Sequence, residues 1–141
     1  PCVRELLRRV GRWWLWLVLL TLAAWSALPP LSPEEQRAQA DHVLLGQVNN
    51  VASRSIEVAN GTDRQVNLNF RVDDREKGSY RAGLTLTLKC RQTERRPAGW
   101  AGPQGQNEIP PEGSRIRAFV RETPSGELEL LEPNGWEPWS R

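Results

Sequence analysis

Among 141 residues the sequence has 2 cysteines, 1 histidine, 1 tyrosine, 2 phenylalanines and no methionine. Each shortage closes a class of explanation. Cys2 precedes a long apolar run and Cys90 lies well beyond it, so no disulfide can staple the part of the chain after the run. No cysteine stands just after the run to receive a lipid. His42 is the one imidazole, and nothing in the sequence sets a nucleophile and an orienting acid beside it. It is expected to make an ordinary hydrogen bond at a strand end. Asp73, Asp74 and Glu76 alternate with Arg75 and Lys77 and lack calcium-loop spacing, so a solvated turn is expected there and no metal site. No catalytic residue and no cofactor is expected, and the chain is not expected to be an enzyme. A single domain is expected within these 141 residues.

Charge is also missing where it matters. The run Trp13–Leu28, WWLWLVLLTLAAWSAL, carries none, and Arg4, Arg8, Arg9 and Arg12 precede it against Glu5 alone. Basic residues ahead of an apolar stretch hold the amino terminus in the cytoplasm and send the chain beyond the stretch across the membrane. Residues 1–31 are therefore expected to be a signal peptide or membrane anchor, with the membrane contacted through residues 13–28, and residues 32–141 an exported domain. Ala24-Trp25-Ser26 offers small residues for cleavage near Ser26, which would release the domain to a secreted, periplasmic or luminal space. Trp13, Trp14, Trp16 and Trp25 resemble the interfacial belts of a retained anchor. Both outcomes stay open.

The apparent basicity belongs to this leader. Up to Ser26 the chain is net +3, and beyond it 15 basic residues face 16 acidic ones, net −1. A basic total ordinarily suggests nucleic acid. Here it reports membrane orientation, and the exported part has only Phe70, Tyr80 and Phe119 in or near strands for base stacking, so no nucleic-acid partner is expected.

After Pro29-Pro30, Ser32-Pro33-Glu34-Glu35 reads as a helix start: Ser32 caps, Pro33 takes the first turn, and Glu35 reaches back. That helix is expected to end near Ala40. From Asp41 the apolar period becomes two. VLLGQV (43–48) is apolar on both faces, as a central strand would be, and SIEV (55–58) is expected to bury Ile56 and Val58. Val66, Leu68, Phe70 and Val72 share one face, as do Leu84, Leu86, Leu88 and Cys90. Ile116, Ala118 and Val120 point inward on a fifth strand, and Leu128 and Leu130 on a sixth. Six short strands and no long helix predict a mainly β, antiparallel sheet curled into a barrel or sandwich.

Register comes from pairing the apolar faces. A two-residue turn at Asn60-Gly61 would set Val58 against Asp63, so a three- or five-residue loop is expected. Asn60-Gly61-Thr62 also matches a glycosylation acceptor. In the last hairpin, Val120 is expected against Leu128, Ala118 against Leu130 and Arg121 against Glu127.

One stretch resists regular structure: in Pro97–Gly113, 8 of 17 residues are Gly or Pro. Long structureless connections are often functional. Trp100 stands between Gly99 and Gly102, and the carboxy-terminal EPNGWEPW adds Trp136 and Trp139. Trp100 either forms an exposed recognition platform or folds inward beside Trp136, with Gln104, Gln106 and Asn107 as a polar rim. Trp100, Gln104, Gln106, Asn107 and Trp136 are thus the candidate contacts for a protein partner. The alternative is an anionic lipid or polysaccharide held by the basic strand 115–121, where Arg115, Arg117 and Arg121 share an outer face with Phe119. Cross-strand pairing of those arginines with Glu127 and Glu129 competes with that role.

Several runs together resemble the netrin-like domains related to tissue inhibitors of metalloproteinases. They are ADHVLLGQV (40–48), the strand ending Phe70-Arg71-Val72, Glu76-Lys77-Gly78, LTLTL (84–88) and PEGSRIRAFV (111–120). The resemblance spans about residues 38–131 and implies an OB-like barrel. The family's disulfide-bearing cysteines are absent, and no free amino-terminal Cys is available to chelate a protease metal. Metalloproteinase inhibition is therefore not implied. RPAGWAGPQGQN (96–107) and EPNGW (132–136) read as the signature of a narrower group.

Overall fold

The computed structural model describes residues 29–140. The expected leader therefore lies almost wholly outside the described residues, and with it the apolar run and its cleavage. No helix among the described residues is long and apolar enough to cross a membrane. Pro30–Trp100 and Gln104–Arg141 form one compact unit; Ala101–Pro103 falls in a second, whose other members, Pro29 apart, lie outside the described residues.

The unit opens with α1 (Pro33–Gln39), which the cap residues start as the sequence predicts. The Ser32 hydroxyl accepts from Glu35 N–H at 3.2 Å and the Glu35 carboxylate accepts from Ser32 N–H at 3.0 Å, satisfying two amides that a helix start leaves without partners. Six strands come next: β1 (His42–Val58), β2 (Gly61–Lys77), β3 (Thr85–Arg95), β4 (Arg115–Glu122), β5 (Leu128–Leu130) and β6 (Trp136–Pro138). They form one mixed sheet in the order β1-β2-β3-β5-β4-β6, and β1 also pairs with β4, so five strands make a ring. The expectation of a wholly antiparallel sheet is corrected at one place. β3 and β5 run parallel, joined at Leu88–Leu128 and Lys89–Glu129. The long 97–113 connection and β4 intervene between them, so β5 returns to β3 in the same direction.

The membership of the strands also differs from expectation. VLLGQV and SIEV are one 17-residue strand, and β6 is added from the carboxy-terminal segment. The acidic residues Asp73, Asp74 and Glu76 stand within β2 instead of on a turn. The β1–β2 turn is the two residues Ala59-Asn60, with Val58 opposite Gly61 and Ile56 opposite Asp63. Residue numbers of partners total an odd number here and an even one at Val48–Phe70, because a bulge at Asn49 absorbs one residue. The bulge reconciles a tight turn with an inward Val48 and Phe70. Ile56 and Val58 are consequently only half-buried. In the last hairpin the faces are as expected but the pairing slips one pleat. Val120 meets Leu130 and Arg121 meets Glu129. Thr123 closes a longer loop through its own N–H to the Glu127 carbonyl at 2.8 Å and its hydroxyl from Glu127 N–H at 3.1 Å.

Inside the ring, Leu44, Val48, Val66, Leu68, Phe70, Val72, Leu88, Ile116, Ala118 and Val120 are buried together. Each of these side chains larger than Ala118 contributes ~1.5–3 kcal/mol by leaving water. Outside it a second small cluster, Ala40, Val43, Phe119 and Leu131, explains why VLLGQV is apolar on both faces. Phe119, expected on the outer surface beside the arginines, is thereby covered, at 1% exposure. Leu84 lies ahead of β3 and is exposed.

Cys90 packs against the ring core, as the alternation of its strand predicts. Burial, and secondarily the Glu132 charge, pushes its thiol up from 9.0 to about 12. Three pH units reduce the thiolate about a thousandfold. Alkylation of Cys90 by iodoacetamide at pH 8, followed by mass spectrometry, should be slower in the folded chain than in urea by roughly that factor. A ratio near one would contradict the packing.

Candidate functional site

The long loop and the carboxy-terminal EPNGW segment, far apart in sequence, are two halves of one hydrogen-bonded structure. β5 and β6 lie successively along the same edge of β4, and between them the chain leaves the ladder. Phe119 holds both ends of this excursion: its carbonyl accepts from Leu131 N–H at 3.0 Å and its N–H donates to the Gly135 carbonyl at 2.8 Å. Between those bonds Glu132, Pro133 and Asn134 bow outward. Pro133, preceded by a cis peptide, has no N–H to give a ladder. Gly135 is buried where a Cβ would overlap the Leu131 carbonyl, so no side chain is tolerated there.

Three segments grip the excursion. The Asn134 amide exchanges bonds with both backbone groups of Leu31, each at 3.3 Å, and the Gln36 side chain donates to the Asn134 carbonyl. Arg91 of β3 forks onto the Glu132 carboxylate at 3.0 and 3.1 Å. Gln106 inserts from the long loop: its amide nitrogen donates to the Leu131 carbonyl and its amide oxygen accepts from Gly135 N–H at 3.1 Å. Beside it Asn107 N–H donates to the Pro133 carbonyl at 2.8 Å, and the Trp136 indole N–H donates to the Glu108 carbonyl at 2.9 Å.

Gln106, expected on an exposed polar rim, is thus corrected to a buried strut at 3% exposure. A glutamine offers one donor and one acceptor at the end of a flexible stem, which is what the broken ladder leaves unpaired. Gln104 and Asn107 are exposed, as expected of a rim. The loop is also stitched to the outer edge of β3, with Thr93 N–H on the Gln104 carbonyl at 2.9 Å and Gln106 N–H on the Arg91 carbonyl at 2.7 Å. Gly105 between them has φ +76°, and a Cβ there would meet the Arg91 carbonyl.

The other end of the loop is tied electrostatically. Asp63 on β2 is 6% exposed and ion-paired to Arg96, with Arg91 at 3.7 Å. Arg96 also donates to the Thr62 carbonyl at 3.1 Å, and its guanidinium lies 4.9 Å from the centre of the Trp100 ring. Such a cation–π contact is worth roughly 0.5–2 kcal/mol. Trp100 is half-buried under Arg96, and Trp136 is half-buried against the ring core; each has its own neighbours. Asp63, Arg91, Arg96 and Glu132 escape sequence reasoning. The one available signal is Asp63 itself, a carboxylate at the start of an apolar-alternating strand.

The second candidate surface is largely neutralised. Arg115 meets Asp73 at 3.2 Å, Arg117 lies between Glu76 and Glu137, both at 2.5 Å, and Arg121 meets Glu129 at 3.4 Å. Glu127, an expected partner of this strand, bonds Lys89 instead at 2.7 Å. Burial pushes the Glu76 carboxyl up, but hydrogen bonds and charge from Arg37 and Arg117 outweigh it and hold it below its usual range. Arg117 is pushed up by its bonds to Glu137 and Glu76.

His42 starts β1 as expected and is buried, with Nε2 3.3 Å from a Glu122 carboxylate oxygen and its ring 4.7 Å from that of Tyr80. Gly78 abuts the other side, where a Cβ would overlap Nδ1, and Nδ1 has no hydrogen-bond partner among the described residues. Among the described residues no three of His, Cys, Asp and Glu come together as metal ligands. Comparisons with protein-family models, curated proteins and solved structures find no match for this chain.

Proposed function

We propose that this chain is an exported, non-enzymatic binding module: an OB-like barrel, tethered by or released from its apolar leader, that presents the 97–113 loop to a protein partner. The five-strand ring supports the OB-type reading, since that fold is a five-stranded, partly open Greek-key barrel. One observation carries the function. A loop rich in Gly and Pro is held from below by Gln106, Trp136, the Gln104–Gln106 pairing with β3, and the Asp63–Arg96 pair. A tryptophan is left half-exposed on it, beside the exposed Gln104 and Asn107. Fixing a loop before binding removes much of its ordering cost, and tryptophan is the residue most enriched among binding hot spots. The anionic-ligand reading has less support, because each of Arg115, Arg117 and Arg121 already faces a carboxylate.

A photoreactive amino acid at Gln104 in cells of the source organism should give one defined protein adduct. Trp100→Ala should reduce its yield about tenfold or more, the scale of a hot-spot truncation, while the domain stays folded. An adduct unaffected by Trp100→Ala would remove the loop as the site.

A further inference from the structure

The far half of β1 has a free edge. β4 pairs with β1 only as far as Gln47, and Gly113 and Ser114 continue the pairing at Val48. Beyond the Asn49 bulge, the tight turn directs the backbone groups of Val58, Ile56, Arg54 and Ala52 toward β2. Those of Val51, Ser53, Ser55 and Glu57 point away from it. The Val51 N–H is covered by the Glu112 carboxylate at 2.9 Å, which confirms the direction. The N–H and carbonyl groups of Ser53, Ser55 and Glu57 meet no partner among the described residues. An uncovered row of this kind is a template for another strand.

We infer that this edge pairs with the same edge of a second copy of the chain, antiparallel about a two-fold axis at Ser55. An antiparallel ladder requires outward residues to meet outward residues, so only three nearby registers are open. Centring on Arg54 sets two arginines face to face and uses the covered Val51 N–H. Centring on Ile56 leaves Ser53 opposite Ala59, in the turn. Centring on Ser55 pairs Ser53 with the partner's Glu57 and Ser55 with the partner's Ser55, and uses all six free groups.

That register is also the one that charge favours. Arg64 of β2 donates to the Ser53 hydroxyl at 3.2 Å, which brings its guanidinium onto β1, and on the same face the Ser55 hydroxyl donates to the Glu94 carboxylate at 2.9 Å. The partner's Glu57, opposite Ser53 and on the same face, arrives beside it, and the symmetry makes two such pairs. On the other face the half-buried Ile56 and Val58 meet the partner's Arg54 stem and the partner's Ala52, which cover apolar surface the monomer leaves wet.

The test is a cysteine pair across the axis in the full chain, in detergent, with Cys2→Ser. Directly opposed residues in a hydrogen-bonded pair have Cα atoms about 5.5 Å apart, within disulfide reach, whereas Ser53 and its symmetry mate are about 14 Å apart. Mild oxidation should therefore dimerise Ser55→Cys about tenfold faster than Ser53→Cys, although both side chains share one face. Equal rates would overturn the proposal. Ser55→Pro removes the central outward N–H and leaves the β1–β2 bonds in place, so sedimentation should show a monomer with an unchanged circular dichroism spectrum. A dimer that survives Ser55→Pro, or a native chain that is monomeric at tens of micromolar and leaves the edge to some other extended peptide, would equally overturn it.

Discussion

Gly46→Ala is expected to lower stability by about 3 kcal/mol or more, through one added methyl group. Gly46 lies mid-way along the part of β1 that closes the ring, beside a shift in the β1–β2 register between Leu45 and Gly46. A Cβ there would overlap the Arg71 carbonyl and crowd the end of the Phe70 ring at 2.8 Å. A clash with a flexible side chain relaxes by rotation, but Arg71 is backbone of the neighbouring strand. Relief means separating β1 from β2, which weakens the ladder on both sides and loosens Phe70 in the core. For a domain of this size the loss corresponds to a fall in melting temperature of roughly 12–20 °C. Gly126→Ala is the control: Gly126 has φ +85° and nothing within 4 Å of a Cβ, so only the left-handed backbone penalty applies, about 1 kcal/mol. Urea unfolding of both variants checks the contrast. Equal losses would mean that the close approach at Gly46 is relieved at no cost.

Legible in the sequence is whatever neighbours along the chain decide. The Ser32–Glu35 box, the alternation from Val66 to Val72, the inward residues of β4 and the packing of a half-buried Cys90 against the core are set by spacing within one element. Errors begin where spacing meets a distant partner. Spacing misplaces the β1–β2 turn because it takes Asp63 to face solvent. In the structure Asp63 is buried opposite Ile56 because Arg96 and Arg91, about thirty residues on, neutralise it. A carboxylate with two arginines over it is no longer a solvent marker. Parity fails for a second reason. It assumes unbroken ladders, and the extra residue at Asn49 changes which face each number denotes. The direction of β5 depends likewise on where a 17-residue connection delivers the chain, which no local period records. The candidate loop is half legible. Its glycines, prolines and Trp100 mark it, and so does the pairing of RPAGWAGPQGQN with EPNGW as one signature, which the structure joins physically. The roles of its polar residues are not legible, because exposed and buried amides look alike until the unpaired backbone groups they serve are known.

That difference supplies the second large effect. Gln106→Ala is expected to cost about 3–4 kcal/mol, because it strands the Leu131 carbonyl and the Gly135 N–H, each worth ~1–3 kcal/mol when buried without a partner. It also opens a void. Gln106→Leu restores most of the volume but neither hydrogen bond, so it should recover little; recovery to near-native stability would show that packing, not pairing, is what Gln106 provides. Asn107→Ala should cost ~0.5 kcal/mol or less, since Asn107 is exposed and serves the loop through its N–H and carbonyl, which alanine retains. The loss should fall on the loop first. With Gln106 removed, the loop keeps its tie at Asp63–Arg96 but loses its central anchor to the β5–β6 excursion. Limited proteolysis of Gln106→Ala in native buffer should then cut between Arg96 and Gln106 at concentrations of protease that leave the strands intact, and the Gln104 crosslink should weaken even with Trp100 in place. If the loop instead stayed as protected as in the native chain while global stability fell, Gln106 would be a part of the core alone. Its link to the recognition surface would then be lost.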